Sequence, residues 1–189
     1  MQNYPDSDTV ISHTRRWLER VVIGLNLCPF ARKPFEAGKV RFVASTANSP
    51  ELLLAELQQE LAFLRTADAS AVETTLLIHP QVLGDFLDYN DFLDVVDALL
   101  EDDDYEGEIQ VASFHPDYQF AGTSVDDAEN YSNRSPYPTL HLLREASVDH
   151  AIDNYPNPEK IPERNIHALE EAGADHMREL LAGCLQNKA

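Results

Sequence analysis

The chain has 189 residues, of which 43% are hydrophobic and 25% charged, with 7 Gly and 11 Pro, a balance that excludes disordered, collagenous and low-complexity classes. A single domain over residues 1–189 is expected at this length, and folding would bury roughly 70% of the unfolded chain's surface, so no metal or disulfide is needed to make a core. Lys and Arg number 14 against 33 Asp and Glu; the net charge of −19 repels duplex nucleic acid and anionic bilayers, and neither is expected as a partner.

At the N-terminus, Tyr4-Pro-Asp-Ser-Asp stands where a secretory signal would place a basic and then an apolar run, so a cytoplasmic location is expected. The longest uncharged stretches, 21–31 and 74–84, hold 11 residues each, short of the roughly 18 that cross a bilayer. Asp8 or Ser7 is placed to cap a first helix whose apolar residues Val10, Ile11, Trp17, Leu18, Val21, Val22 and Leu25 repeat at helical spacing. Gly24, Asn26 and Pro29 stop it, with Cys28 at or just past its end. A strand is predicted over 40–45. Ser49-Pro50 then opens a second helix through Leu54, Leu57, Leu61 and Leu64. A second strand over 74–79 precedes a third helix from Asp85, with Phe86, Tyr89, Leu93, Val96 and Leu100 on one face and Asp88, Asp91, Asp94 and Asp97 on the other. Strands over 108–114 and 139–143 follow, with only a short helical turn between them, then a helix over 144–152. A terminal helix over 162–185 is interrupted near Gly173. Strand and helix alternate from 40 to 114, which predicts an α/β fold: one small mixed sheet of about four strands, mostly parallel, packed with helices.

The charge is unevenly spread. Residues 1–41 carry 7 basic and 4 acidic side chains, which serve either an anionic ligand or the protein's own acidic surface. Residues 84–108 hold 11 acidic groups and no basic one, reading either as a solvated helix face or as a surface for a basic protein partner. Two cysteines, Cys28 and Cys184, form no disulfide framework or zinc spacing.

Two strands end in the same dipeptide, Leu76-Leu-Ile-His79-Pro80 and Val111-Ala-Ser-Phe-His115-Pro116. If both strands point the same way, both imidazoles reach one sheet edge, the place where open α/β sheets bind ligands. There His79 and His115 are candidate catalytic proton carriers; the alternative is that each bonds a backbone carbonyl where proline ends the strand. The segment 130–145 concentrates amides, hydroxyls and guanidinium groups. Arg134 and Arg144 are isolated cations in an acidic region, with forks suited to carboxylate or phosphate; Arg32 is a further candidate, and Asn130 and Asn133 are placed to orient a ligand. His141, between Leu140 and Leu142, reads as a core histidine. Asp126, Asp127 and Glu129 with the two histidines offer nitrogen and oxygen ligands, but no compact motif organises them and no metal is assigned. Cys28, beside Arg32 and Lys33, has the neighbours of a nucleophile, yet a helix C-terminus raises a thiol pKa, which favours a small capping residue. No GxSxG, Walker A or GxGxxG pattern occurs.

Three blocks together, Val22-Ile-Gly-Leu-Asn-Leu-Cys28-Pro-Phe-Ala31, Phe114-His-Pro-Asp-Tyr-Gln-Phe-Ala-Gly122 and Asn133-Arg-Ser-Pro-Tyr-Pro-Thr-Leu-His-Leu-Leu-Arg-Glu145, resemble the bacterial family catalogued as domain of unknown function 1415. The resemblance spans nearly the whole chain. It implies a single-domain bacterial protein of this size and brings no activity, cofactor or catalytic residue with it. It does associate the three blocks, as a shared pocket or a demanding fold would. The expected function is a small enzyme or ligand-binding domain for an anionic small molecule at the strand-end histidines; the alternative is a non-catalytic adaptor whose acidic third helix takes a basic protein partner.

Overall fold

The computed structural model describes residues 4–186. Asp6, one or two residues ahead of the caps predicted, accepts the Thr9 amide at 2.9 Å and starts α1 (Ser7–Trp17). Its side chain reaches the third helical amide, the usual reach of an N-cap. Beyond Trp17 the helix widens into a π-helical turn, Leu18–Ile23. At its end Gly24 is obligatory, because a side chain there would collide with the Arg20 carbonyl. Asn26, in the left-handed region at φ 54°, turns the chain toward Cys28. A short α2 (Arg32–Glu36), absent from the sequence reading, leads into β1 (Val40–Ala44).

Ser49 caps α3 (Pro50–Thr66), and Asp85 caps α4 (Phe86–Asp102) by accepting the Leu87 and Asp88 amides at 2.8 and 3.2 Å. Between them lies β2 (Thr74–Ile78), buried at every residue. After α4 come β3 (Ile109–Phe114), a 3-10 turn (Ala128–Ser132), β4 (Thr139–Arg144) and α5 (Glu145–Asp153). The predicted terminal helix is two helices, α6 (Ile161–Ala172) and α7 (Ala174–Cys184), broken at Gly173 with φ 81°. Glycine enters that region without the steric cost a Cβ imposes.

The strand order is β1-β2-β4-β3. β1 and β2 are parallel, while β4 is antiparallel to both neighbours, so the sheet is mixed rather than mostly parallel. The crossover through α4 leaves a one-strand gap between β2 and β3, and β4 fills it running backward. β1, β2 and β3 consequently all point the same way. One face packs Leu77, Leu140, Leu142 and Ile109 against α3 and α4, through Leu53, Leu57, Leu61, Leu64, Tyr89, Phe92 and Val96. The other carries Leu76 and Ile78 against Val10, Trp17 and Val21 of the first helix and Leu169 and Met177 of the last two. Each fully buried leucine of α3 stabilises the fold by roughly 1.5–3 kcal/mol relative to exposure. Among the described residues no helix is long and apolar enough to cross a membrane.

Candidate functional site

Because β2 and β3 point the same way on either side of β4, His79 and His115 emerge at one end of the sheet. The ring of Tyr89 lies between them, at 5.7 Å from His79 and 5.1 Å from His115, centroid to centroid. Both imidazoles are buried. His79 Nδ1 donates to the Val82 carbonyl at 3.0 Å, and its Nε2 has no partner among the described residues. His115 Nε2 donates to the Leu83 carbonyl at 3.2 Å, while its Nδ1 accepts the Asp117 amide at 3.0 Å. These contacts fix both tautomers. Burial pushes His79 down to about 4 and lowers His115 as well, so both rings are neutral near pH 7. Each ring N–H is thus committed to a carbonyl of the 80–84 turn. Proton donation from either N–H to a substrate at this end requires that turn to move away.

The polar residues after β3 are equally engaged. The Arg134 guanidinium is buried, donates to the Tyr118 and Val125 carbonyls at 3.1 and 2.7 Å, and lies 4.7 Å from the Tyr131 ring centroid. Asn130 accepts the Phe120 amide and the Thr123 hydroxyl and donates to the Ser124 carbonyl. Asn133 donates to the Ser113 carbonyl at 3.1 Å. Arg144, at the opposite end of β4, donates to the Ala67 and Val72 carbonyls, and the exposed Arg32 pairs with Glu36 and the Ile23 carbonyl. The three arginines therefore sit in three separate neighbourhoods. Thr74 gives its one hydroxyl proton to the Leu142 carbonyl, so His141 Nε2 donates to Thr74 at 2.7 Å; burial holds His141 at about 4. Among the described residues no three His, Cys, Asp or Glu side chains gather to hold a metal.

The three sequence blocks meet elsewhere, at a cavity of about 530 Å³ on the first-helix side of the sheet. Val22, Leu27 and Cys28 come from the first block, Phe114, Phe120 and Ala121 from the second, and Asn133 from the third. Thr123, Glu129 and Ser132 add polar groups, and Ile161, Pro162, Asn165 and Ile166 of α6 close the remaining side. Asn165 Nδ2 donates to the Leu27 carbonyl at 2.7 Å and Arg164 to the Asn26 carbonyl at 3.1 Å, which fastens α6 to the turn that carries Cys28. Burial raises the Cys28 thiol pKa, partly opposed by the Phe30 and Ala31 amides. The thiol is protonated at neutral pH; its neighbours Arg32 and Lys33 do not activate it. Of the residues expected to bind or catalyse, Asn133 alone lines this cavity. A larger open groove of about 610 Å³, along Tyr155, Lys160, Arg164 and Glu171, has none of the three blocks in its lining.

The family model described as "Protein of unknown function (DUF1415)" matches residues 9–179. The chain belongs to this family. No curated protein and no solved structure matches it. Every segment that lines the cavity of this DUF1415 chain falls inside the matched span. In the sequence Glu129 reads only as a metal carboxylate, and Asn165, Ile161 and Ile166 do not stand out. The three-residue spacing of Ile166 and Leu169 carries a signal for that isoleucine; nothing in the sequence marks Asn165.

Proposed function

We propose that this chain is a small-molecule-binding domain whose ligand occupies the cavity beside Cys28. The observation that supports this most strongly is that three blocks far apart in sequence, with α6, surround one volume of about 530 Å³, within the range of small-molecule sites. Its lining is mainly apolar with a few amides, hydroxyls and one carboxylate, the mixture that such sites use to bury a ligand and orient it. A protonated Cys28 favours binding over thiolate chemistry. Arg134 supports the cavity from behind by holding the 118–125 loop that lines it, and an anion site built on Arg134 or the strand-end histidines is less favoured because their donors serve backbone carbonyls.

The test is native mass spectrometry of untagged protein, followed by a fragment screen read by NMR, on the wild type and on Ala121→Phe. Ala121 is exposed at the cavity mouth, so the larger ring obstructs the site without entering the core. Retained mass or fragment binding that Ala121→Phe removes at unchanged thermal stability supports the reading. Binding that survives this substitution, or that maps to the Tyr155 groove, overturns it.

A second reading applies to α4. Leu87 is 71% exposed and Val95 44% exposed, and both stand among the outward Asp88, Asp91 and Asp94, a surface that suits an amphipathic basic segment. Reversing charge at Asp91, Asp94 and Asp97 should then abolish binding of a basic amphipathic peptide; unchanged binding removes this reading.

A further inference from the structure

We infer that the Cys28 cavity takes a primary amine on a compact apolar body, bound as its ammonium ion. This rests on the cavity being the ligand site and adds the charge of the ligand. It is carried by the one charge in the lining and by that charge having no partner among the described residues. The cavity lining contains no Lys, Arg or His, and its one charged side chain is Glu129. The donors in the lining are partly used: one N–H of Asn133 Nδ2 by the Ser113 carbonyl, one of Asn165 Nδ2 by the Leu27 carbonyl, the Ser132 hydroxyl by Asn133 Oδ1, and the single Thr123 hydroxyl proton shared between the Phe120 carbonyl and Asn130 Oδ1. The one charged group is left without a partner. The half-buried Glu129 carboxylate makes no hydrogen bond or ion pair among the described residues, and Asn165 Oδ1 receives no donor there. The donors left for an incoming acceptor are neutral: the second N–H of each carboxamide and the weak Cys28 S–H.

A ligand rich in acceptors, such as a carboxylate or phosphate, would meet a carboxylate and an amide oxygen. An ammonium group supplies the positive charge that this lining lacks together with three donors, and a charge-assisted bond to a carboxylate is among the stronger polar contacts. Phe114 and Phe120 complete the fit, since aromatic faces attract cations and accept an apolar body. The protein's charge of −19 raises the local concentration of cations in the same direction.

Three probes of one carbon skeleton, phenylbutylamine, phenylbutanol and phenylbutyrate, separate the terms. Each is titrated into the full chain and read by NMR from the Asn133 and Asn165 side-chain amides and the Ala121 backbone amide, in the wild type and in Glu129→Gln. The expected result is that the amine binds at least about tenfold more tightly than the alcohol, that phenylbutyrate is weakest, and that Glu129→Gln erases the amine's advantage while leaving the alcohol unchanged. Equal binding of amine and alcohol, tighter binding of phenylbutyrate, or an amine advantage that survives Glu129→Gln overturns the inference and leaves the cavity standing. If none of the three shifts the cavity resonances, the inference and the cavity reading fall together.

Discussion

His79 and His115 donate to adjacent carbonyls of one turn, Val82 and Leu83, although the two histidines come from different strands. Leu83 sits in the left-handed region at φ 57°, where a branched side chain costs roughly 1 kcal/mol. The pair of imidazoles holds that conformation, and the turn delivers Asp85 to the start of α4. His115→Ala removes the bond to Leu83 and leaves the Asp117 amide without its acceptor. The expected loss is about 2–3 kcal/mol in urea denaturation. A loss below about 0.5 kcal/mol would mean that the turn holds itself.

Acid should act through His79 and His141. Both have folded values of about 4 against an ordinary 6.5, so between those limits the unfolded chain binds protons that the folded chain refuses. Their contribution is whole above about pH 6.5 and declines as the pH falls toward 4, by up to about 1.4 kcal/mol per pH unit for each. The many carboxylates titrate over part of the same range, so the readout is the difference between the wild type and His79→Gln with His141→Gln. Urea midpoints for that variant should depend less steeply on pH from 6.5 to 4. Parallel curves would remove these histidines as the cause.

Arg134→Lys should not rescue Arg134→Ala. Two nitrogens of one guanidinium reach Tyr118 and Val125, carbonyls seven residues apart in sequence, and a single ammonium has no planar fork to serve both. Either substitution should free residues 118–125, at a cost of about 1.5–3 kcal/mol, with faster amide exchange at Phe120 and Thr123. Native exchange at those amides in the lysine variant would refute the clamp.

Both thiols should resist alkylation. Burial raises the pKa of Cys28 and of Cys184, so iodoacetamide should label the native protein far more slowly at pH 7 than the urea-unfolded chain, with the rate rising toward alkaline pH. Labelling of Cys28 at the unfolded rate would refute its burial, and a faster rate would show a thiolate and revive its role as a nucleophile.

Much of the fold is legible in the sequence because local physics decides it. A helix starting at Asp85, Pro50 in a first turn and Gly173 as a break are each set by a few neighbouring atoms. Strand order is a different kind of fact: the alternation of strands and helices up to residue 114 reads as parallel, and only the return of β4 between β2 and β3 makes the sheet mixed. The site divides in the same way. His79 and His115 do share an edge, as their strands imply, but that their donors meet Val82 and Leu83 depends on a turn whose path the sequence leaves open. The raised Cys28 pKa was anticipated from the helix end, whereas its main cause is burial. Asn165 comes to the cavity only because α6 folds back 138 residues later onto Leu27, a contact no local pattern encodes.

The backward passage of β4 also orders events on the ribosome. Until residues 139–144 leave the exit tunnel, β3 has no strand beside it and β2 keeps one edge bare, although β1 and α3 are already available to it. A nascent chain that stalls before Thr139 therefore presents two separated, unpaired edges, one of them along a fully buried strand, the kind of template on which strangers add. The last strand made is the keystone of the sheet, and its synthesis joins two adhesive fragments into one.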